Sequence, residues 1–313
     1  MTGPIALVGV PTALGGHLPG MDRTPSRLRA ARLVRALADG QALGGAMVRD
    51  AGDVPVEPGF REDPDGRAKN RAFVAAMLER ERDTVRAALR TTGRRARLAI
   101  VGGDCTAHAG ALAGLRAAGV RRLGLVWFDA HGDFNTPDTT PSGNIWGMPL
   151  AMALGRGDPD LLAACDAPTV SLEHAALVGG QVLDEQEARD LVASPVALFG
   201  AGMVASDAGR EAFEAWARTV GRRVDALYLA IDADCLDPSV GCAVQMPEPR
   251  GLALETVLTL LASLRRTARI AGVGVTGINL EGGGVETTLP VVVSLLGTAL
   301  AADSFGAAGW SPA

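Results

Sequence analysis

The sequence predicts an α/β chain whose mainly parallel central sheet lies between layers of helices, a three-layer αβα arrangement. Three observations predict it. Short β-rich runs alternate with longer stretches of helical periodicity. No segment has the composition of an interdomain linker. Of the 313 residues, 48 % are hydrophobic, enough for residues 1–313 to form one large domain.

The opening MTGPIALVGV has no basic leader and no small-residue cleavage site, so it reads as a first strand over 5–10. Further strands are expected over 98–101, 123–128, 196–199, 227–231 and 269–275. Helices are expected over 25–38, 68–90, 107–118, 184–191, 207–220 and 254–267. In the last of these, Leu254, Val257, Leu258, Leu261 and Leu264 recur at helical spacing and form a stripe that faces the sheet. The apolar stretch 289–302 is too short for a membrane span and reads as a buried helix. Residues 54–67 read as a surface excursion, and 135–147 as a long loop after a strand.

Thirty basic against 35 acidic residues give a formal charge of -5, with Lys69 the single lysine, so no basic surface draws in nucleic acid. The four cysteines, 105, 165, 235 and 242, have neither zinc-clip nor disulfide-scaffold spacing, and a reducing cytoplasm is the expected setting.

In open parallel sheets, ligands gather beyond the carboxyl ends of strands. The strand over 123–128 runs directly into Asp129, Ala130, His131, Gly132 and Asp133, and the strand over 227–231 into Asp232, Ala233 and Asp234. If the backbone stays extended, alternate residues point the same way and five potential ligands meet in one volume. Four carboxylates cannot share such a volume dry, because their repulsion and desolvation are too costly, and a divalent cation resolves the conflict. Oxygen-rich ligation with one imidazole suits manganese and leaves iron, zinc and magnesium open. Asp237, followed by Pro238, falls outside the alternation and shapes a turn. After the strand over 98–101, Gly102 and Gly103 allow a sharp turn, and Asp104 can orient a ligand. Cys105 is a metal thiolate, a nucleophile or a small buried group, and His108 stands three positions on.

Three ordered pieces, GGDC at 102–105, DAHGDFNTP at 129–137 and DADCLDP at 232–238, resemble the arginase, agmatinase and related ureohydrolase family. The resemblance covers most of the chain. It implies an arginase-like fold, a hydrolase of small guanidinium compounds holding manganese, and a homo-oligomer, either trimer or hexamer. It further implies that Asp129 and Asp232 bridge two ions, that His131 and Asp234 complete one shell, and that Asp133 belongs to the other. Cys105 stands where the family has a histidine ligand, so one or two manganese ions are expected. The loop matches the family's amino-acid-binding segment, which implies substrate contacts from Asn135, Thr140, Ser142, Asn144 and Trp146. Asp133 and Asp232 are the expected catalytic carboxylates.

Three departures argue against an ordinary arginase. Trp146 replaces the family's proton-shuttling histidine, and an indole cannot act as a general acid at neutral pH. Gly277 stands where an acidic residue grips the guanidinium. The segment 200–206 lacks the acidic residues expected near a substrate amino group. The expected function is therefore hydrolysis of a carbon–nitrogen bond in a small amino-acid-like, guanidino or amidine substrate. A non-catalytic binding or assembly protein of the same fold is the alternative, and a mononuclear enzyme using Cys105 on its substrate is a third.

Overall fold

The computed structural model describes residues 3–16, 18–40, 43–56, 66–93 and 95–301. Its strands are β1 Ile5–Val10, β2 Val48–Asp53, β3 Arg97–Gly102, β4 Leu123–Asp129, β5 Val170–Gly179, β6 Ala197–Gly200, β7 Ala226–Asp232 and β8 Ile270–Thr276. They form one sheet in the order β2-β1-β3-β8-β7-β4-β5-β6. Every neighbouring pair is parallel, so the expected mainly parallel sheet is wholly so.

Both faces of a parallel sheet are covered, so alternate residues of a strand enter different cores. Leu125 and Trp127 of β4 pack on one side and Val126 and Phe128 on the other, all fully buried. One core is closed by α3 Arg71–Thr92, α4 Ala107–Ala117, α5 Pro149–Ala153, α6 Pro159–Ala164 and α7 Glu185–Ala193. The other is closed by α1 Thr24–Ala30, α2 Leu33–Asp39, α8 Ala201–Val204, α9 Asp207–Gly221, α10 Leu254–Thr267 and α11 Val285–Ala299. Truncating Phe128 to alanine in such a core costs about 3–5 kcal/mol.

Local chemistry explains where elements differ from expectation. The helix expected over 25–38 is two helices, broken at Arg32, which adopts φ 68°. The one expected over 68–90 begins only after Asn70, also left-handed at φ 61°, and continues to Thr92. Strand β2 was not expected, since VRDAGD is a polar edge strand with no fully buried residue. Nor was β5, whose first half mixes polar and apolar residues. The apolar stretch near the carboxyl end is the buried-faced helix α11. Of the stretch 54–67, residues 57–65 lie outside the described residues.

Strands β3, β8, β7 and β4 are consecutive in the sheet. Their register pairs Phe128 with Ile231, Asp232 with Thr276 and Val101 with Val275. Their carboxyl ends therefore finish level, and the residues just beyond them share one crevice.

Candidate metal centre and cavity

The adjacent parallel strands β4 and β7 deliver Asp129 and Asp232 side by side, but not through continued extension. Each carboxylate turns back on its own chain. Asp129 Oδ1 accepts the backbone N–H of His131 at 2.7 Å, and Asp232 Oδ1 accepts that of Asp234 at 2.9 Å. After Asp232 the chain enters a 3-10 turn, Ala233–Cys235. These side-chain turns, rather than pleated alternation, bring the second ligand of each motif round to the first.

Two groups of donors result, each with ligand atoms within 4.8 Å of one another: Cys105, Asp129 and Asp232, and Asp129, His131 and Asp234. Asp129 is common to both. Trp127 Nε1 donates to its other oxygen at 2.9 Å, fixing the carboxylate plane. His131 Nδ1 lies 3.1 Å from Asp234 Oδ2, and its Nε2 lies 3.5 Å from Glu248. Asp133, buried and at φ 47°, lines the same cavity, and its Oδ2 has no hydrogen-bond partner. Cys105 Sγ makes a short contact with Asp232 Oδ2 and lies 3.5 Å from Thr276 Oγ1.

The electrostatics record the crowding. Burial, then the charge of Asp129, push Asp232 up to about 6. Burial and the neighbouring Asp129 and Asp232 raise Asp133 well above the carboxylate range, and burial with Asp232 and Asp129 does the same to Asp234. Burial, with Asp232 next, pushes the Cys105 thiol up. Burial draws His131 down, but hydrogen bonds and charge from Asp129 and Asp234 outweigh it and push the imidazole up to about 12. An imidazolium thus occupies the carboxylate nest when no other cation does. An orphaned buried oxygen, a short thiol–carboxylate contact and mutually raised acids fit a divalent cation, and the mixed oxygen, nitrogen and sulfur set suits a borderline ion.

Above these groups opens a cavity of about 350 Å³. All five expected loop residues, Asn135, Thr140, Ser142, Asn144 and Trp146, line it. Asn135 is engaged at both ends, donating to Asp184 at 2.9 Å and accepting from Thr139 at 2.9 Å. Trp146 donates its backbone N–H to Gly15 at 2.9 Å, and its ring lies against Gly16, where a Cβ would stand 2.1 Å from the indole. Asp104 holds that glycine turn, accepting from Gly15 N, Thr106 N, Thr106 Oγ1 and Thr12 Oγ1. Asp104 thus braces the backbone around the turn, and none of these bonds reaches Cys105 or another expected ligand.

Other expectations need correction. The segment 200–206, expected near the substrate amino group, does not line the cavity; that wall is built by Val182, Leu183, Asp184 and Glu187. Glu187 is committed to the wall itself, accepting Phe134 N at 2.9 Å and Asp184 N at 3.2 Å. Sequence reasoning missed these residues because the capping box of Asp184 and Glu187 reads only as a helix start. Gln245 and Met246 were missed too, since no periodicity marks their loop. The His108 imidazole is not paired with the Cys105 thiol; the two residues meet through the backbone, His108 N–H donating to Cys105 O at 3.1 Å. The imidazole donates and accepts with Tyr228 and Thr276 at 3.0 Å each, and burial lowers it to about 3, which keeps it neutral. Asp237 shapes a turn as expected, accepting Ser239 N at 3.0 Å.

A wholly parallel αβα sheet with clustered carboxylate, imidazole and thiol donors at its carboxyl edge defines a metallohydrolase-like α/β protein. The relationship to known proteins is specific. A sequence model of the arginase family matches residues 3–300, and the chain belongs to that family. The arginase of Bacillus caldovelox is 33 % identical over 299 residues, covering 94 % of this chain and 97 % of the relative. Its solved structure superposes with a TM-score of 0.86 at 30 % identity, covering 97 % of this chain and 100 % of that one. The Entamoeba histolytica arginase, solved in complex with L-ornithine, superposes with a TM-score of 0.84 at 26 % identity, covering 96 % and 99 %.

Proposed function

We propose that the chain is a metal-dependent hydrolase of a carbon–nitrogen bond in a small amino-acid-like, guanidino or amidine substrate, distinct from ordinary arginases. The observation that carries this reading is the pair of donor groups sharing Asp129 beneath a substrate-sized cavity. Manganese is the ion proposed, held by Asp129, His131, Asp232 and Asp234, with Cys105 and Asp133 offering a second place. When bound, a divalent cation supplies Lewis acidity to the reacting carbon and to the attacking water.

The chain's own residues do the rest. Asp133, whose buried Oδ2 has no partner, orients the attacking water together with Asp232. Asn144, Thr140 and Ser142 bind the polar end of the substrate, and Asn135 stiffens that wall through Asp184. Trp146 closes the cavity against bulk water. The ornithine complex of the Entamoeba relative supports a small amino-acid-like ligand. We further propose a single domain, a homo-oligomeric assembly of trimer or hexamer form, and a cytoplasmic setting. Among the described residues, no helix is long and apolar enough to cross a membrane.

The test is metal analysis of protein purified without chelator, paired with a screen for urea, ammonia and amine products. Stoichiometric metal, with turnover abolished in Asp232→Asn, supports the hydrolase. Trp146 in place of a proton-returning group favours the second reading, a non-catalytic binding or assembly protein. That reading predicts no turnover with any divalent ion and a stable complex with a catalytically complete homologue.

A further inference from the structure

Apart from Asp232, which belongs to the donor groups, the wall of the cavity beside Gly277 presents a hydrogen-bond donor and no anion. Gly277 adopts φ 72°, and a Cβ there would stand 2.0 Å from Asp232 Oδ1, so this backbone leaves no room for a side chain. Gln245 stands next to it, its backbone N–H donating to Gly277 O at 2.8 Å. The direction of the Gln245 amide is fixed by its neighbour. Asn279 Oδ1 accepts from Glu281 N at 2.9 Å, so the other end of Asn279, Nδ2, is the donor to Pro19 O at 3.2 Å and to Gln245 at 2.6 Å. The Gln245 atom facing Asn279 is therefore its oxygen, and the NH₂ of this cavity-lining residue is the end that Asn279 leaves open.

Setting aside the donor groups and Asp133, which is placed with the second ion, the lining carboxylates are already engaged. Asp104 accepts four hydrogen bonds, Glu187 accepts two backbone N–H groups, and Asp184 accepts Asn135 and caps α7. Apolar surface from Met21, Trp146, Val182 and Met246 makes up much of the remainder. A guanidinium has five N–H donors and no acceptor, so against Gln245 donor meets donor. A carbonyl oxygen in the same place accepts from Gln245 and carries no charge to compensate.

Building on the hydrolase reading, we propose that the site selects a neutral ureido substrate over a guanidino one, with Gln245 the specificity-determining residue. In the reaction, the water oxygen bonds to the ureido carbon and the bond from that carbon to the alkyl nitrogen breaks. The water proton passes to the departing amine, leaving an amine and carbamic acid, with no redox partner required.

The experiment uses L-citrulline and L-arginine, which differ only in carrying a carbonyl oxygen or an amidinium nitrogen. Calorimetry on the full manganese-loaded chain is expected to show citrulline binding at least tenfold tighter. Gln245→Glu should reverse that ratio in favour of arginine, and Gln245→Leu should erase it, both at unchanged metal content. Equal or tighter arginine binding in the wild type, binding of neither probe, or a ratio indifferent to both substitutions overturns the proposal. Product analysis runs in parallel: citrulline bound but not cleaved sinks the hydrolase and leaves the selectivity, whereas arginine preferred and cleaved does the reverse.

Discussion

Replacing Gly277 with alanine strikes the site through the backbone. The new Cβ would lie 2.0 Å from Asp232 Oδ1 and 2.6 Å from its Cγ, so the whole carboxylate has to move. That movement is not the harmless swing of a surface side chain, because Oδ1 holds the Asp234 N–H and Oδ2 touches Cys105. Left-handed backbone costs an alanine roughly 1 kcal/mol, and an unpaired buried N–H about 1–3, giving a loss on the order of 2–4 kcal/mol. At roughly 2 cal/mol/K of unfolding entropy per residue, a chain of this length loses about 1.5 °C of Tm per kcal/mol, hence about 3–6 °C. Divalent-metal affinity should fall by about 10–100-fold as one ligand is displaced. Gly202→Ala is the control: it lies in α8, where a Cβ meets nothing within 4 Å, and it removes the same unfolded-state freedom. Scanning fluorimetry of metal-free protein and metal titration read both effects. Gly277→Ala within 1 °C of wild type, with full metal content, would falsify the reasoning.

Three further outcomes are expected. Asp104→Ala strips acceptors from four donors and should lower stability by about 2–4 kcal/mol, measured by urea unfolding; a change under about 0.5 kcal/mol denies Asp104 its role in the glycine turn. Gly16→Ala should push the indole of Trp146 into the cavity, weakening small-ligand binding with metal content intact, and equal affinity in calorimetry refutes that packing. The pH dependence follows from Asp232, whose folded pKa of about 6 exceeds its ordinary 3.8. The native state holds that proton more tightly, so its contribution is complete below pH 3.8 and is lost as pH rises through 6, roughly 3 kcal/mol in all. His131, pushed to about 12, keeps its contribution across this window. Metal-free Tm should therefore fall between pH 4 and 7, while the Tm gain on adding manganese should grow, since metal competes with those protons. A metal-induced gain that shrinks with pH contradicts the assignment.

Strands that end in chemistry were legible because two constraints coincide there: an apolar run buried on both faces, then polar residues that only a ligand or a turn can satisfy. Leu123 to Asp129 and Ala226 to Asp232 carry both signals, and GGDC follows a third such run. The edge strand β2 carries neither, since its partner lies on one side only and its side chains meet water. The wall from Val182 to Glu187 was illegible because its place depends on how β5 pairs with β4, a long-range fact. Likewise the direction of the Gln245 amide arises from Asn279, a neighbour remote in sequence.

The two carboxylates at the strand ends are tied to backbone N–H groups two residues ahead, and this separates the making of the site from its loading. Hydrogen bonds internal to each loop hold those acids in position while the protein is still empty of ions. Exchange of one cation for another then asks little rearrangement of the chain. Lengthening either acid by one methylene would keep the charge but lose the tether, turning a rigid socket into one that must be assembled around each incoming ion.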